Sequence, residues 1–193
     1  MDKTKIAIVG CGGMARGHAS RFEMILDQVE VVAAVDVVRE RAQAVADLLP
    51  AGTKVAEDYR DVLDDVDALL LVLPHHLHHP VAMDCLAHGK HVLVEKPMAN
   101  TEQECIEMIH AARAADRVLM VAYCMRFHPL VVKLHELITN KTYGECFQFS
   151  LWTEQLTKYP PDHWASSAKT LGGGQLFSHG CHYIDLMLWM MGQ

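Results

Sequence analysis

The chain has 193 residues, of which 51% are apolar and 21% charged, and this composition is typical of a soluble globular protein with one or two domains. Its formal net charge of −7 argues against nucleic acids and anionic membrane surfaces as partners. No apolar run is long enough to span a bilayer, and the first predicted strand begins too early to leave room for a signal peptide. Six scattered cysteines without a C-x-x-C pair favour reduced thiols in the cytoplasm.

The first element is a predicted strand, Lys5–Val9, which leads into a glycine-rich turn with the sequence Gly10-Cys-Gly-Gly-Met-Ala15. This is the G-x-G-x-x-A form of the dinucleotide-binding fingerprint. Gly10 permits the tight turn, and Gly12 lets the backbone approach a diphosphate at the start of the next helix. Such turns also occur for purely structural reasons, but the position between a strand and a helix favours the binding function.

A β-branched run, Val29–Val35, predicts a buried second strand, and it ends at Asp36. An acidic residue at this point accepts hydrogen bonds from the adenosine ribose and repels a 2′-phosphate, which predicts NAD rather than NADP. Two alternatives to this interpretation stay open. Asp36 could serve merely as a cap of the following helix, and Arg39 could contact the 2′-phosphate of NADP.

The rest of the first half alternates short apolar strands with helices. Further strands are predicted near 54–56, 68–73, 91–94 and 118–122, and helices near 14–26, 39–49, 58–63, 80–88 and 101–115. Thr101 and Glu104 form a capping box at the start of the last of these helices. The alternation predicts an α/β fold with a doubly wound parallel sheet, a Rossmann domain over residues 1–122.

The pattern changes after Ala122, so a second domain is predicted over residues 123–193. It contains a linker-like turn at 123–129, a helix at 130–139, a strand at 145–152, a loop at 157–170, and the glycine-rich segment 171–185 followed by an apolar helix to the end. A continuous helix from Gln175 would align Ser178, His182, Asp185 and Trp189 on one face.

Four segments carry a resemblance to a known family. They are the glycine turn with Asp36, the triplet Glu95-Lys96-Pro97, the segment Arg126-Phe-x-Pro129, and the pattern G-G-G-x-L-x-x-x-G-x-H-x-x-D at 172–185. In this order they resemble the Gfo/Idh/MocA family, named for glucose–fructose oxidoreductase and inositol dehydrogenase. The resemblance implies an N-terminal Rossmann domain, an α/β C-terminal domain that forms homo-oligomers, NAD as cofactor, a sugar or cyclic polyol as substrate, and a cis Lys96–Pro97 bond.

The sequence departs from the family pattern in two respects. Ser178 stands where the family usually has an acid that orients the substrate or the catalytic histidine. The chain also stops at Gln193, whereas family members continue through most of a C-terminal sheet. The C-terminal α/β domain is therefore expected to be incomplete, as a fragment, a short natural relative, or a chain whose sheet comes from another chain.

Lys96 and His182 are the predicted catalytic residues. Lys96 follows the fifth strand, at the sheet edge where ligands bind, and its ammonium group could stabilise negative charge on the reacting oxygen. His182 could take and return the proton, because imidazole titrates near neutral pH, and Asp185 could orient it. The alternatives are a surface lysine and a core histidine bonded to a backbone carbonyl.

The residues expected to contact the cofactor are Gly10, Gly12, Gly13, Met14, Asp36, Arg39, Pro74, His78, Glu95 and Lys96. The residues expected to contact the substrate are Lys96, Arg126, Ser178, His182 and Asp185. No metal site is predicted, because the histidines at 75, 76, 78 and 79 have no carboxylate or cysteine at a suitable spacing.

Three functions fit these residues. The first is hydride transfer between NAD and a sugar or cyclic polyol. The second is an NAD-dependent glycosidase, which would release free sugar without net NADH. The third is a non-catalytic NAD-binding or regulatory protein, which would bind the cofactor without turnover.

Overall fold

A computed structural model describes residues 3–192. The chain divides into two compact units between Val121 and Ala122, and each is described separately. We call them the N-terminal and the C-terminal unit.

The N-terminal unit contains one parallel sheet of six strands in the order β3-β2-β1-β4-β5-β6. The strands are β1 (Thr4–Val9), β2 (Val29–Val35), β3 (Lys54–Ala56), β4 (Ala68–Leu71), β5 (His91–Val94) and β6 (Leu119–Val121). This order reverses between β1 and β4, which is the arrangement of the Rossmann fold. The prediction of a doubly wound parallel sheet is confirmed.

Apolar side chains cover both faces of the sheet, because successive residues of a strand point to opposite sides. Ala7, Val9 and Leu71 belong to one buried cluster, whereas Ile8 and Leu70 belong to the other. The sheet therefore separates two cores, which explains why its strands are apolar without alternation.

The helices of the N-terminal unit are α1 (Gly13–Ala19), α2 (Arg39–Ala46), α3 (His78–Ala87) and α4 (Glu102–Ala115). Short 3-10 helices span Phe22–Ile25, Tyr59–Asp65 and His75–Leu77. The capping box of α4 is present as predicted.

Two helix boundaries differ from the prediction. Helix α1 ends at Ala19 rather than Leu26, where the Ser20 hydroxyl donates to the Gly17 carbonyl and competes with a further helical turn. Helix α3 starts at His78, two residues before Pro80. A proline is tolerated there because the first four N–H groups of a helix have no partner within it.

The described part of the C-terminal unit is built from helices and irregular segments. The helices are α5 (Pro129–Thr139), α6 (Ala168–Leu171), α7 (Gln175–Ser178) and α8 (Cys181–Met190), with 3-10 turns at Cys124–Phe127 and Trp164–Ser166. The predicted strand at 145–152 is wrong, since residues 145–160 have no regular structure. A strand needs a neighbour to pair its backbone groups, and within residues 122–192 the only bridge joins Thr142 to Gly144.

The condition that the chain be continuously helical from Gln175 onward is not met. Helix α7 ends at Ser178, and α8 begins at Cys181. Gly180 lies at the break, where a Cβ atom would come within 2.4 Å of the Leu176 carbonyl oxygen. Ser178 therefore does not share a helix face with His182.

Candidate functional site

The glycine turn that follows β1 is shaped by Gly10. This residue has a φ of 91°, and a Cβ atom on it would lie 2.3 Å from the carbonyl oxygen of Val72, just beyond β4. Both the left-handed conformation and the close approach exclude a side chain. Gly10 thus brings the turn against the end of the neighbouring strand.

Gly12 and Gly13 face open space at the start of α1. A Cβ atom on either residue would meet nothing within 4 Å, and no side chain caps the helix at Gly12. Met14 is exposed beside them. Backbone N–H groups at an uncapped helix start suit a diphosphate, so the turn fits a dinucleotide.

The carboxylate of Asp36 lies between β2 and the glycine turn. Its Oδ2 atom accepts the N–H of Cys11 at 2.8 Å, and its Oδ1 atom accepts the N–H of Val38 at 2.9 Å. The second bond closes a local turn just before α2, whose N-cap residue Val38 has no side-chain cap, so Asp36 does not cap this helix. The first bond ties the acid to the glycine turn. Arg39 is exposed and pairs loosely with Glu57 at 3.6 Å.

Glu95 follows β5 and is buried, with 8% of its surface exposed. His18 Nε2 donates to Glu95 Oε1 at 2.7 Å, and the Lys96 N–H donates to Oε2 at 3.1 Å. Burial opposes ionisation, but the bonds from His18 and Lys96 outweigh it and lower the pKa of Glu95 below its ordinary value. Glu95 is therefore a carboxylate at neutral pH.

Lys96 is half-buried in the turn after β5, and its bond to Pro97 is cis, as the resemblance implied. The strand order places this turn at the carboxyl edge of the sheet, where the glycine turn and Asp36 also lie. Ligands bind at this edge in open parallel sheets.

His78 connects two segments at the same edge. The ring is fully buried, with Nδ1 2.8 Å from the Pro97 carbonyl and Nε2 2.9 Å from the Leu73 carbonyl. Burial lowers the pKa of His78, and a neutral ring donates its single N–H to one of these carbonyls. His78 lies inside the protein in this structure, and its contact with the cofactor stays a prediction. Pro74, half-buried after β4, accepts the N–H of Leu77.

In the C-terminal unit, Arg126 and Asp185 bind each other. The guanidinium donates to both carboxylate oxygens, at 2.7 and 2.6 Å, and lies 5.4 Å from the ring centre of Trp189. Asp185 was expected to orient His182. The Asp185 carboxylate instead binds Arg126, because the 3-10 turn that carries Arg126 contacts α8.

His182 lies in the first turn of α8 and is buried, with 7% of its surface exposed. The edges of two rings, Tyr123 and His179, approach it at centroid distances of 6.1 and 6.2 Å. Ser178 is half-buried at the end of α7.

The histidines that follow β4 do not share one partner. His78 binds two carbonyls, and His79 pairs with Glu107 at 2.9 Å. Among residues 3–192, no group of three histidine, cysteine or acidic side chains could hold a metal ion.

Within the part of the chain that the structure describes, no helix has both the length and the apolar character to cross a membrane.

The contact of His18 with Glu95 could not be predicted from the sequence. Nothing in the fingerprint assigns a function to this position, and its partner Glu95 lies 77 residues away. Only the fold brings α1 and the end of β5 together.

The strand order, the glycine turn and Asp36 define a dinucleotide-binding protein of the Rossmann class. Residues 4–123 match the oxidoreductase family with an NAD-binding Rossmann fold, and residues 131–193 match the GFO/IDH/MocA C-terminal domain. The chain belongs to the GFO/IDH/MocA family.

Known relatives match almost the whole chain. It is 28% identical to inositol 2-dehydrogenase 2 of Saccharopolyspora erythraea over 97% of this chain and 54% of the relative. An NAD-binding protein from Listeria innocua superposes with a TM-score of 0.83 and 31% identity, covering 97% of this chain and 54% of that one. The WlbA dehydrogenase of Bordetella pertussis, solved with NADH and UDP-GlcNAcA, gives 0.81 and 25%, covering 98% and 58%. The chain thus spans about half the length of the relatives it matches.

Proposed function

We propose that this protein is an NAD-dependent oxidoreductase that transfers a hydride between nicotinamide and the hydroxyl-bearing carbon of a sugar or cyclic polyol. The observation that carries the proposal is the Lys96 turn at the carboxyl edge of the sheet, together with the glycine turn. The relatives named inositol 2-dehydrogenase support a cyclic polyol as the substrate class.

The chain's own residues divide the chemistry between them. Bound nicotinamide supplies or accepts the hydride. The ammonium group of Lys96 donates a hydrogen bond to the reacting oxygen and stabilises negative charge on it. His182 takes the hydroxyl proton on a ring nitrogen and returns it in the reverse direction. Arg126 and Asp185 act as a pair that shapes the substrate pocket, and Ser178 offers a neutral hydroxyl.

Asp36 is proposed to select NAD. Its carboxylate accepts the adenosine ribose hydroxyls and repels a 2′-phosphate. Gly10, Gly12, Gly13 and Met14 are proposed to receive the diphosphate. The homo-oligomer, the cytoplasmic location and the roles of the two domains stay predictions.

The test is a turnover assay with NAD, myo-inositol and a panel of sugars, in which NADH is followed by absorbance. We expect NADH formation with at least one polyol, and a fall in kcat of about 100-fold or more in Lys96→Met and in His182→Asn. Lys54→Met is the matched control, because Lys54 is exposed and its ammonium group pairs with Asp65.

Calorimetric titration with NAD accompanies every variant, so that a lost fold is separated from lost chemistry. Turnover that survives in Lys96→Met would contradict the catalytic assignment. NAD binding without turnover on any substrate would favour the regulatory alternative. Free sugar released from a glycoside without net NADH would favour the glycosidase.

A further inference from the structure

The Glu95 carboxylate links α1 to the Lys96 turn after β5. One oxygen is bound by His18, which lies on the helix that the glycine turn opens, and the other is bound by the backbone N–H of Lys96. The Glu95 side chain thus connects α1, the helix after the glycine turn, to the backbone of Lys96, the proposed catalytic lysine.

The bond between His18 and Glu95 is short, and the carboxylate that accepts it is poorly exposed to water. At 2.7 Å, the contact between His18 Nε2 and Glu95 Oε1 has the length of a charge-assisted hydrogen bond. The Glu95 side chain is 10% exposed, so little water competes for its oxygens, whereas the His18 side chain is 26% exposed. The carboxylate cannot donate, so His18 carries its proton on Nε2.

The other end of the Lys96 turn is held independently. The Pro97 carbonyl lies 2.8 Å from Nδ1 of the fully buried His78. On the Glu95 side the anchor is instead His18, a partly exposed residue that can be replaced without opening the core.

We propose that His18 is a positioning residue that fixes the backbone of Lys96 through Glu95. His18 does not touch the reacting atoms. It holds the carboxylate that binds the Lys96 N–H, and thereby couples the helix of the cofactor turn to the placement of the lysine. The positioning is a property of the folded chain alone, whereas its catalytic consequence rests on the proposed function.

The direct test is hydrogen exchange of the Lys96 amide, measured by NMR at one fixed pH in the isotope-labelled full chain without cofactor. Without His18, the Glu95 carboxylate loses one of its two anchors and the Lys96 N–H opens more often. We expect exchange about three- to tenfold faster in His18→Ala, which corresponds to one weakened hydrogen bond. His18→Gln supplies an N–H donor at similar reach, and we expect it to restore most of the protection.

The matched control is His79→Ala. His79 makes an equivalent pair with a glutamate, Glu107, at 2.9 Å, and its ring is similarly exposed at 23%. This variant removes a histidine–carboxylate pair of the same unit that does not reach Lys96, and we expect the Lys96 exchange rate to stay unchanged. Amides of β1 and β4, followed in the same spectra, report whether any variant loosens the whole sheet.

Three results would overturn the proposal. They are unchanged Lys96 exchange in His18→Ala, equal acceleration in His79→Ala, and acceleration that spreads uniformly over β1 and β4. None of them depends on turnover, so a protein that never oxidises a polyol could still confirm the positioning. Where turnover is observed, we expect His18→Ala to lower kcat more than it changes the KM for the polyol, and His18→Gln to recover kcat.

Discussion

The carboxylate of Asp36 accepts the backbone N–H of Cys11 at 2.8 Å and so fastens the end of β2 to the glycine turn. The acid proposed to bind the ribose therefore also holds the turn proposed to bind the diphosphate. The proposed selection of NAD and the shape of the glycine turn thus involve the same side chain.

Replacing Asp36 should weaken NAD binding for both of these reasons. We expect Asp36→Ala to bind NAD at least about tenfold more weakly, because it loses hydrogen bonds to the ribose and the support of the turn. The preference for NAD over NADP should shrink as well. Calorimetric titration measures both affinities, and an Asp36→Ala variant that keeps the wild-type NAD affinity would remove the assignment.

Two glycines of the same turn should respond differently to alanine. Gly10→Ala places a Cβ atom 2.3 Å from the Val72 carbonyl oxygen at a φ of 91°, so we expect a loss of about 2 kcal/mol or more in the free energy of unfolding. Gly12→Ala places it in open space, and we expect the free energy to change by less than about 0.5 kcal/mol while NAD binding weakens. Urea unfolding and calorimetry separate the two effects. Equal destabilisation by both substitutions would contradict this account of the turn.

The stability of the N-terminal unit should depend on the ionisation of Glu95. The folded-state pKa of Glu95 lies below its ordinary value of 4.5, so its stabilising contribution is complete above that value and is lost as the pH falls through the folded pKa. We expect Glu95→Gln to be less stable than wild type near neutral pH, and the difference to shrink toward about pH 3. Urea unfolding at the two pH values measures it. A difference that grows in acid would show that the sign is wrong.

The ion pair between Arg126 and Asp185 should contribute more to the free energy of unfolding than an exposed ion pair does. Asp185 is only 11% exposed, so removing Arg126 leaves a poorly hydrated carboxylate without its bidentate partner. We expect Arg126→Ala to lower the free energy of unfolding by about 2 kcal/mol. Lys133→Ala, which breaks an exposed pair with Glu136, should change it by less than about 0.5 kcal/mol.

Urea unfolding followed by tryptophan fluorescence measures both losses. The signal reports on the C-terminal unit, because all three tryptophans lie in it. Similar losses in the two variants would mean that the Arg126 pair is solvated in solution.

Local patterns were sufficient to predict the parallel sheet. The apolar run Val29–Val35 matches its strand residue for residue, and the Thr101–Glu104 box marks the start of α4, because both depend on neighbouring residues alone. The glycine turn could be located for the same reason.

Long-range contacts could not be predicted. His18 and Glu95 are 77 residues apart, and Arg126 and Asp185 are 59 apart, so no spacing rule connects either pair. The strand expected at 145–152 failed for a related reason, since alternation of side chains predicts a strand only where a partner strand exists to pair with it.

The most direct measurement is calorimetric titration of the chain with NAD and, separately, with NADP. We expect saturable binding of NAD and an affinity for NADP that is at least about tenfold lower, because the Asp36 carboxylate would repel the 2′-phosphate. A folded chain that binds neither dinucleotide, or that binds NADP more tightly, would contradict this expectation.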